Sequence, residues 1–310
     1  MKKSIIYLSV ITLSLSVFFS ACKKDVQSGT NTDTTSQVTT QADDQSMVSE
    51  ETDAVTNDAN TTLESSSSIS GREDGIQLIC DATVVKDTTT DPKTITITYN
   101  GTNCAGNRSR TGVVVISIPA GTHWKNAGAV VTVDYQNLKI TRLRDNKSIT
   151  INGTHTITNV SGGLLINLPD YTSITHTITS NNMSITFDGG LTRNWQVARQ
   201  RVFNYNNGVV ITTTGTHTDG SNTGIETWGT TRFGNAFTNS ILTPLVIRQD
   251  CSYRLTSGVY QHVSVLATTV VTFGLDSSGN PTSCPGSGTY YYKAVWTGIN
   301  GKVKTVIAPY

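Results

Sequence analysis

Four side chains on one predicted strand have the spacing of a recognition face. Over residues 191–203, alternation puts Leu191, Arg193, Trp195, Val197, Arg199, Arg201 and Phe203 on one side, with mostly polar residues opposite. Guanidinium groups stack on an indole ring and grip an acidic group through two parallel hydrogen bonds. Arg193, Trp195, Arg199 and Arg201 are therefore the predicted ligand-binding residues, suited to an anion or an acidic sugar. Arg142 and Arg144 repeat the same-side spacing on another strand. Three Thr-His-Thr triplets, centred on His155, His176 and His217, form the second constellation. Three imidazoles on one sheet face would make a zinc site with an open position. A histidine between threonines on a strand is more commonly a plain cross-strand neighbour, so no metal and no cofactor is predicted. Tyr290, Tyr292 and Trp296 share a face of the penultimate strand and are assigned to packing.

Hydrolytic machinery is sparse. Glycosidases generally use two facing carboxylates, yet residues 76–310 hold a single glutamate, Glu226, and most aspartates there sit in turns. Asp134 and Glu226 are the strand-borne acids. The sequence has no nucleophile elbow, zincin helix, phosphate loop or dinucleotide fingerprint. A non-enzymatic domain, structural or interacting, is the leading expectation, and a glycan- or polyanion-binding module is the alternative. An unrecognised hydrolase comes third and requires Asp134 or Glu226 to share a cleft with an arginine or histidine.

These residues are positioned by strands. From Ile76 onward the dominant pattern is period-two alternation in runs rich in Thr, Val and Ile, bounded by Gly, Asn, Asp or Pro. About fourteen strands result, among them 94–99, 112–118, 129–144, 148–158, 164–168, 173–179, 183–187, 191–203 and 259–273. Connections such as Asp145-Asn146-Lys147, Asn181-Asn182, Asn206-Asn207-Gly208 and Asn300-Gly301 supply the positive φ of tight hairpins. Short turns imply antiparallel neighbours. A sheet this large must curl or split, so the expected fold is all-β, a single large antiparallel meander forming a sandwich or a strongly curled sheet. Cys80, Cys104, Cys251 and Cys284 are an even set in a chain read as exported, and the local pairs Cys80–Cys104 and Cys251–Cys284 are favoured as disulfides.

The N-terminus has a different character. Lys2 and Lys3 precede an apolar stretch of about 15 residues, shorter than the roughly 20 that a spanning helix needs, and small residues lead into Cys22. Residues 1–21 are read as a cleaved signal and Cys22 as a lipidation site, where more than one acyl chain gives stable anchoring. Residues 22–75 lack Pro and aromatic side chains; between Lys23 and Gly75, 19 of 53 residues are Ser or Thr, with 11 acids against 3 bases. That composition predicts a disordered acidic tether, with a root-mean-square reach of roughly 40 Å. Residues 76–310 are the β-domain and carry 18 Lys and Arg against 11 Asp and Glu, a net of +7 set against −8 for the tether. Such a charge suits solubility or polyanions. Nucleic acid is not expected as a partner of an exported, lipid-anchored protein.

The Phe19-Ser20-Ala21-Cys22 stretch resembles the bacterial lipoprotein signal. Residues 94–115 (TITITYNGTNCAGNRSRTGVVV) and 229–258 (GTTRFGNAFTNSILTPLVIRQDCSYRLTSG) resemble a group of uncharacterised all-β lipoproteins of the Bacteroidota, with Cys104 and Arg110 in the first motif and Pro244, Cys251 and Gly258 in the second. Lys23-Lys24-Asp25 is similar to short signals that send such lipoproteins to the outside of the outer membrane, and Asp33-Thr34-Thr35 and Asp87-Thr88-Thr89 are similar to O-glycosylation motifs of that phylum. The resemblance implies an outer-membrane, lipid-anchored cell-envelope protein, on the cell surface or the periplasmic face; the membrane and, for a binding module, a glycan or surface protein are the expected partners. It implies no activity. Replacing Cys22 with serine is expected to move the protein from the membrane to the soluble fraction, read by fractionation and blotting.

Overall fold

The computed structural model describes residues 31–66, 69, 79–284 and 288–310; the predicted signal peptide and Cys22 lie outside them. A helix, α1 (Asn31–Glu64), precedes fifteen strands. They are β1 (Ala82–Asp87), β2 (Lys93–Thr102), β3 (Arg108–Ile118), β4 (Ala129–Arg142), β5 (Lys147–Asn159), β6 (Ile174–Phe187), β7 (Thr192–Tyr205), β8 (Val209–Gly215), β9 (His217–Asp219), β10 (Asn222–Thr230), β11 (Ala236–Arg248), β12 (Arg254–Ser264), β13 (Ala267–Leu275), β14 (Tyr291–Gly298) and β15 (Val303–Pro309). All belong to one antiparallel sheet, with β1 and β15 at the ends of the strand order. The expected meander is therefore present as one curled sheet and not as a sandwich. It deviates at one place, where β8 and β10 share the slot between β7 and β11 and the β9 hairpin leaves the sheet between them.

The curl has a local cause. In β4 the buried positions are odd-numbered up to Tyr135 and even-numbered from Leu138, because Asn137 adopts φ 51° and inserts one extra residue. Gly112 of β3 lies opposite, and a Cβ there would come within 2.4 Å of the Asn137 carbonyl oxygen. Asn182 in β6 (φ 57°) and Gly153 in β5 repeat the device, with 2.5 Å between the virtual Cβ and the Asn182 oxygen. Each bulge raises local twist, and two at similar depth on neighbouring strand pairs bend the sheet into a trough. Asn181-Asn182, expected as a turn between two strands, is thus a bulge inside the continuous β6. The run 259–273 is conversely two strands, β12 and β13, and 164–168 falls largely in a short 3-10 turn, Leu165–Asp170, instead of a strand.

The disordered tether expected over 22–75 is overturned for its larger part: residues 31–64 are helical, and from residue 41 onward the helix lies in the trough. Their propensities do not explain this, since Ser, Thr, Asn and Asp are weak helix formers. Burial does. Val48, Val55, Ala59 and Leu63 recur at helical spacing and join Met47 and Ile69 in one core with Ile97, Val114, Val133, Ile151, Ile185 and Trp195 of the sheet. The helix hides its hydroxyls from this core by bonding them to its own carbonyls: Thr52 donates to Val48 O (2.9 Å), Thr56 to Thr52 O (2.8 Å) and Thr62 to Ala59 O (2.9 Å). A threonine used this way presents chiefly its methyl group. Chain direction is set by contacts at each end of α1. Asp43 meets Arg142 and Lys147 at the β4–β5 turn, and Glu64 accepts from the Leu165 and Ile166 amides at the opposite end of the sheet. Because Leu63 is fully buried, Leu63→Ala is expected to cost about 3 kcal/mol, measured by urea unfolding of the β-domain signal, whereas a detached tether would give no change.

Candidate functional site

Arginines line the trough at Arg108 and Arg110 of β3, Arg142 of β4 and Arg199 and Arg201 of β7, all on the face that the strand pattern turns inward. Each meets an acid from α1. Arg108 donates from Nη2 to Glu50 (2.8 Å) and from Nε to Glu51 (2.5 Å). Arg110 bridges Asp58 (2.8 Å) and Asp81 (2.6 and 2.7 Å), and Tyr99 Oη also donates to Asp58 (2.8 Å). Arg142 grips Asp43 through two bonds of 2.9 Å, and Arg232, in the β10–β11 turn, grips Asp44 (2.6 and 2.7 Å). Asp53 joins Arg199 and Arg201, and Arg199 also donates to Glu226 (2.9 Å). Burial pushes Asp53 up, but the two guanidinium groups outweigh it and hold it below the ordinary carboxylate range. For Glu50, Glu51 and Asp58 burial wins over arginine, and their carboxyls lie above that range.

A cavity of ≈ 190 Å³ opens where α1 parts from the C-terminal wing of the sheet. Its sheet wall is apolar, from Phe203, Ile211, Leu245, Ile247, Leu255 and Phe273 with Tyr260, while Ser49, Asp53, Asn57 and Asn60 of α1 form a polar wall. Arg199, Arg201 and Glu226 stand between the two. The Nε atoms of Arg199 and Arg201 are buried without a hydrogen-bond partner. Leaving such donors unmet costs free energy, and both belong to side chains that line the cavity. The space exceeds the ~150 Å³ of an apolar cavity known to hold benzene.

The four predicted ligand-binding residues are on the inward face as expected but separate into two groups. Arg199 and Arg201 reach the cavity, with an acidic partner supplied by the chain's own Asp53. Arg193 instead donates to the carbonyls of Thr231 (2.6 Å) and Arg232 (2.5 Å), tying down the β10–β11 turn, and Trp195 is buried against Phe237 with ring centroids 4.7 Å apart. The three triplet histidines do not converge. His155 contacts Tyr135 Oη (3.1 Å), His176 lies between Trp124 and Phe203, and His217 stacks on Trp228. Among the described residues no three His, Cys, Asp or Glu side chains are grouped as metal ligands. Tyr290 and Tyr292 are buried, in ring contact with Tyr310. Asp134 lies on the outer face with Gln136 and Thr154, apart from Glu226. Disulfides join Cys80 to Cys104 and Cys251 to Cys284, the pairs favoured from their local spacing.

Asp53 and the apolar wall escaped sequence reasoning. The available signal was the opposite net charge of the two segments and the seven-residue spacing of Asp44, Glu51 and Asp58. No protein-family model, curated protein or solved structure matches this chain.

Two outcomes follow from this geometry. Arg199 is 2 % exposed, so Arg199→Met, which strands Glu226, is expected to cost about 3–5 kcal/mol, and adding Glu226→Met should return part of it, both read by urea unfolding. Burial, with a smaller push from Arg199 or Arg201, holds His155 and His176 down to about 3. The unfolded chain binds those protons from about pH 6.5 downward and the folded chain does not. Stability is therefore lost as pH falls from 6.5 toward 3, by about 1.4 kcal/mol per pH unit for each histidine. The difference between parent and His155→Asn across pH 7 to 5 isolates this from the carboxylates, and identical slopes would refute it.

Proposed function

We propose that the protein is a lipid-anchored component of the cell envelope, of the Bacteroidota lipoprotein kind, whose β-domain is a non-enzymatic binding module. Its ligand is a small amphiphile with an apolar ring or short chain and an acceptor oxygen at one end. The observation that carries this reading is one cavity in which an apolar sheet wall faces the polar side chains of α1, with Arg199 and Arg201 between them. Concave sites with a mainly apolar lining and a few convergent polar groups are the usual form of small-molecule sites. A ligand oxygen would lie toward the polar wall of Asn57, Asn60 and Arg201 while its body covers Ile211, Leu255 and Phe273.

The lining favours an amphiphile over a glycan, which would call for more polar walls. A free polyanion is disfavoured because the inward arginines already hold the acids of α1. Glu226 does share the cavity with Arg199, the condition set for a hydrolase, yet all three carboxylates at the cavity, Glu50, Asp53 and Glu226, are held by arginine. Titrating the protein with a fluorescent medium-chain fatty acid should show saturable one-to-one binding. Ile211→Trp, which fills the cavity, is expected to weaken it at least tenfold, equivalent to about 1.4 kcal/mol. Binding that never saturates, or that ignores the substitution, would reject the module.

A further inference from the structure

The turns of an antiparallel meander alternate between two ends, so those after β2, β4, β6, β10, β12 and β14 gather at one end of the trough. All but the first carry an exposed large apolar residue: Leu143, Leu191, Phe233, Val265 and Ile299, the last two 58 % and 78 % exposed. Isolated exposed apolar side chains are ordinary, but one at five of six same-end turns is a pattern. At the other end the turns 88–91, 206–208, 249–252 and 276–280 are polar. Its exposed apolar residues are Val160, Ile166 and Tyr171 of the single connection between β5 and β6, with Val130 and Tyr205 at adjoining strand ends.

The N-terminal part of α1 emerges at the first of these ends. Asp43 and Asp44 pair with Arg142, Lys147 and Arg232 there, and Gln37 lines a small hollow with Phe233 and Leu266. Only eight residues, 23–30, separate Cys22 from Asn31, a length that spans at most about 30 Å. The apolar turn tips therefore lie at the end of the domain from which the chain runs back to the anchoring cysteine.

We propose that these five turn tips form a lipid-facing surface, inserting into the boundary between headgroups and acyl chains of the same membrane that holds Cys22. The inference rests on lipid anchoring at Cys22 as proposed above. It fixes the orientation of the domain, trough axis toward the membrane, and turns the β5–β6 connection away from it. Apolar groups at an interface bind in proportion to the area they bury, and the acyl anchor keeps the tips at high local concentration beside the bilayer.

The test uses the full-length lipidated protein in vesicles of phosphatidylethanolamine and phosphatidylglycerol with brominated acyl chains, which quench tryptophan on contact. Ile299→Trp and, independently, Val265→Trp should each lose most of their added fluorescence, whereas Tyr205→Trp at the other end should retain it. Vesicle-bound protein with both turn reporters unquenched, or with Tyr205→Trp quenched, overturns the orientation while leaving the anchor intact. Cys22→Ser protein that stays with the membrane fraction overturns the anchoring reading instead, so the two failures are separable.

Discussion

Charge pairing between one helix and the concave face of one sheet is the constraint on which this protein depends. Arg108, Arg110, Arg142 and Arg199 are each less than one tenth exposed, and a guanidinium in such surroundings is costly unless a carboxylate faces it. Helix α1 brings Asp43, Glu50, Glu51, Asp53 and Asp58 to them. The dependence is mutual. A segment of Ser, Thr, Asn and Asp has little reason to be helical in water, and a trough lined with arginine and isoleucine has little reason to stay dry when empty. Each supplies what makes the other stable, and neither the helix nor the sheet face is a finished structure alone.

The same pairing explains where the cavity lies. From β2 to β7 the sheet wraps closely enough for α1 to join a single large core. Beyond β11 a separate small cluster forms around Leu255, Phe273 and Tyr292, and the sheet there closes on itself more than on the helix. Arg199 and Arg201 sit at that boundary and line the cavity, paired with Asp53. Occupation of the cavity would therefore act on the same side chains that seat α1, which couples any ligand to the docking of the N-terminal segment. Helix α1 takes up much of the segment expected as a tether.

Much of the β-domain was readable one strand at a time. Alternation located the inward face of β7 correctly from Arg193 to Phe203, while Leu191 falls in the preceding turn, and local spacing selected both disulfides. Failures occurred where two distant segments decide together. Asn182 looks like any hairpin asparagine, and only its position opposite Gly153 makes it a bulge. Arg193 and Arg199 are equivalent by periodicity, yet one meets carbonyls of the β10–β11 turn and the other meets Asp53, nearly 150 positions earlier in the chain.

The sequence by itself determined that residues from 76 onward form antiparallel strands, that four cysteines are locally matched, and that an acidic segment precedes a basic one. These properties reside in short windows, in the period of two and in composition. Only the tertiary structure decided that the acidic segment is the sheet's own counter-charge, because the free energy that makes residues 31–64 helical is long-range. Buried ion pairs and threonine methyl groups turned toward a core exist only once the trough has formed, and no local propensity along the helix records them.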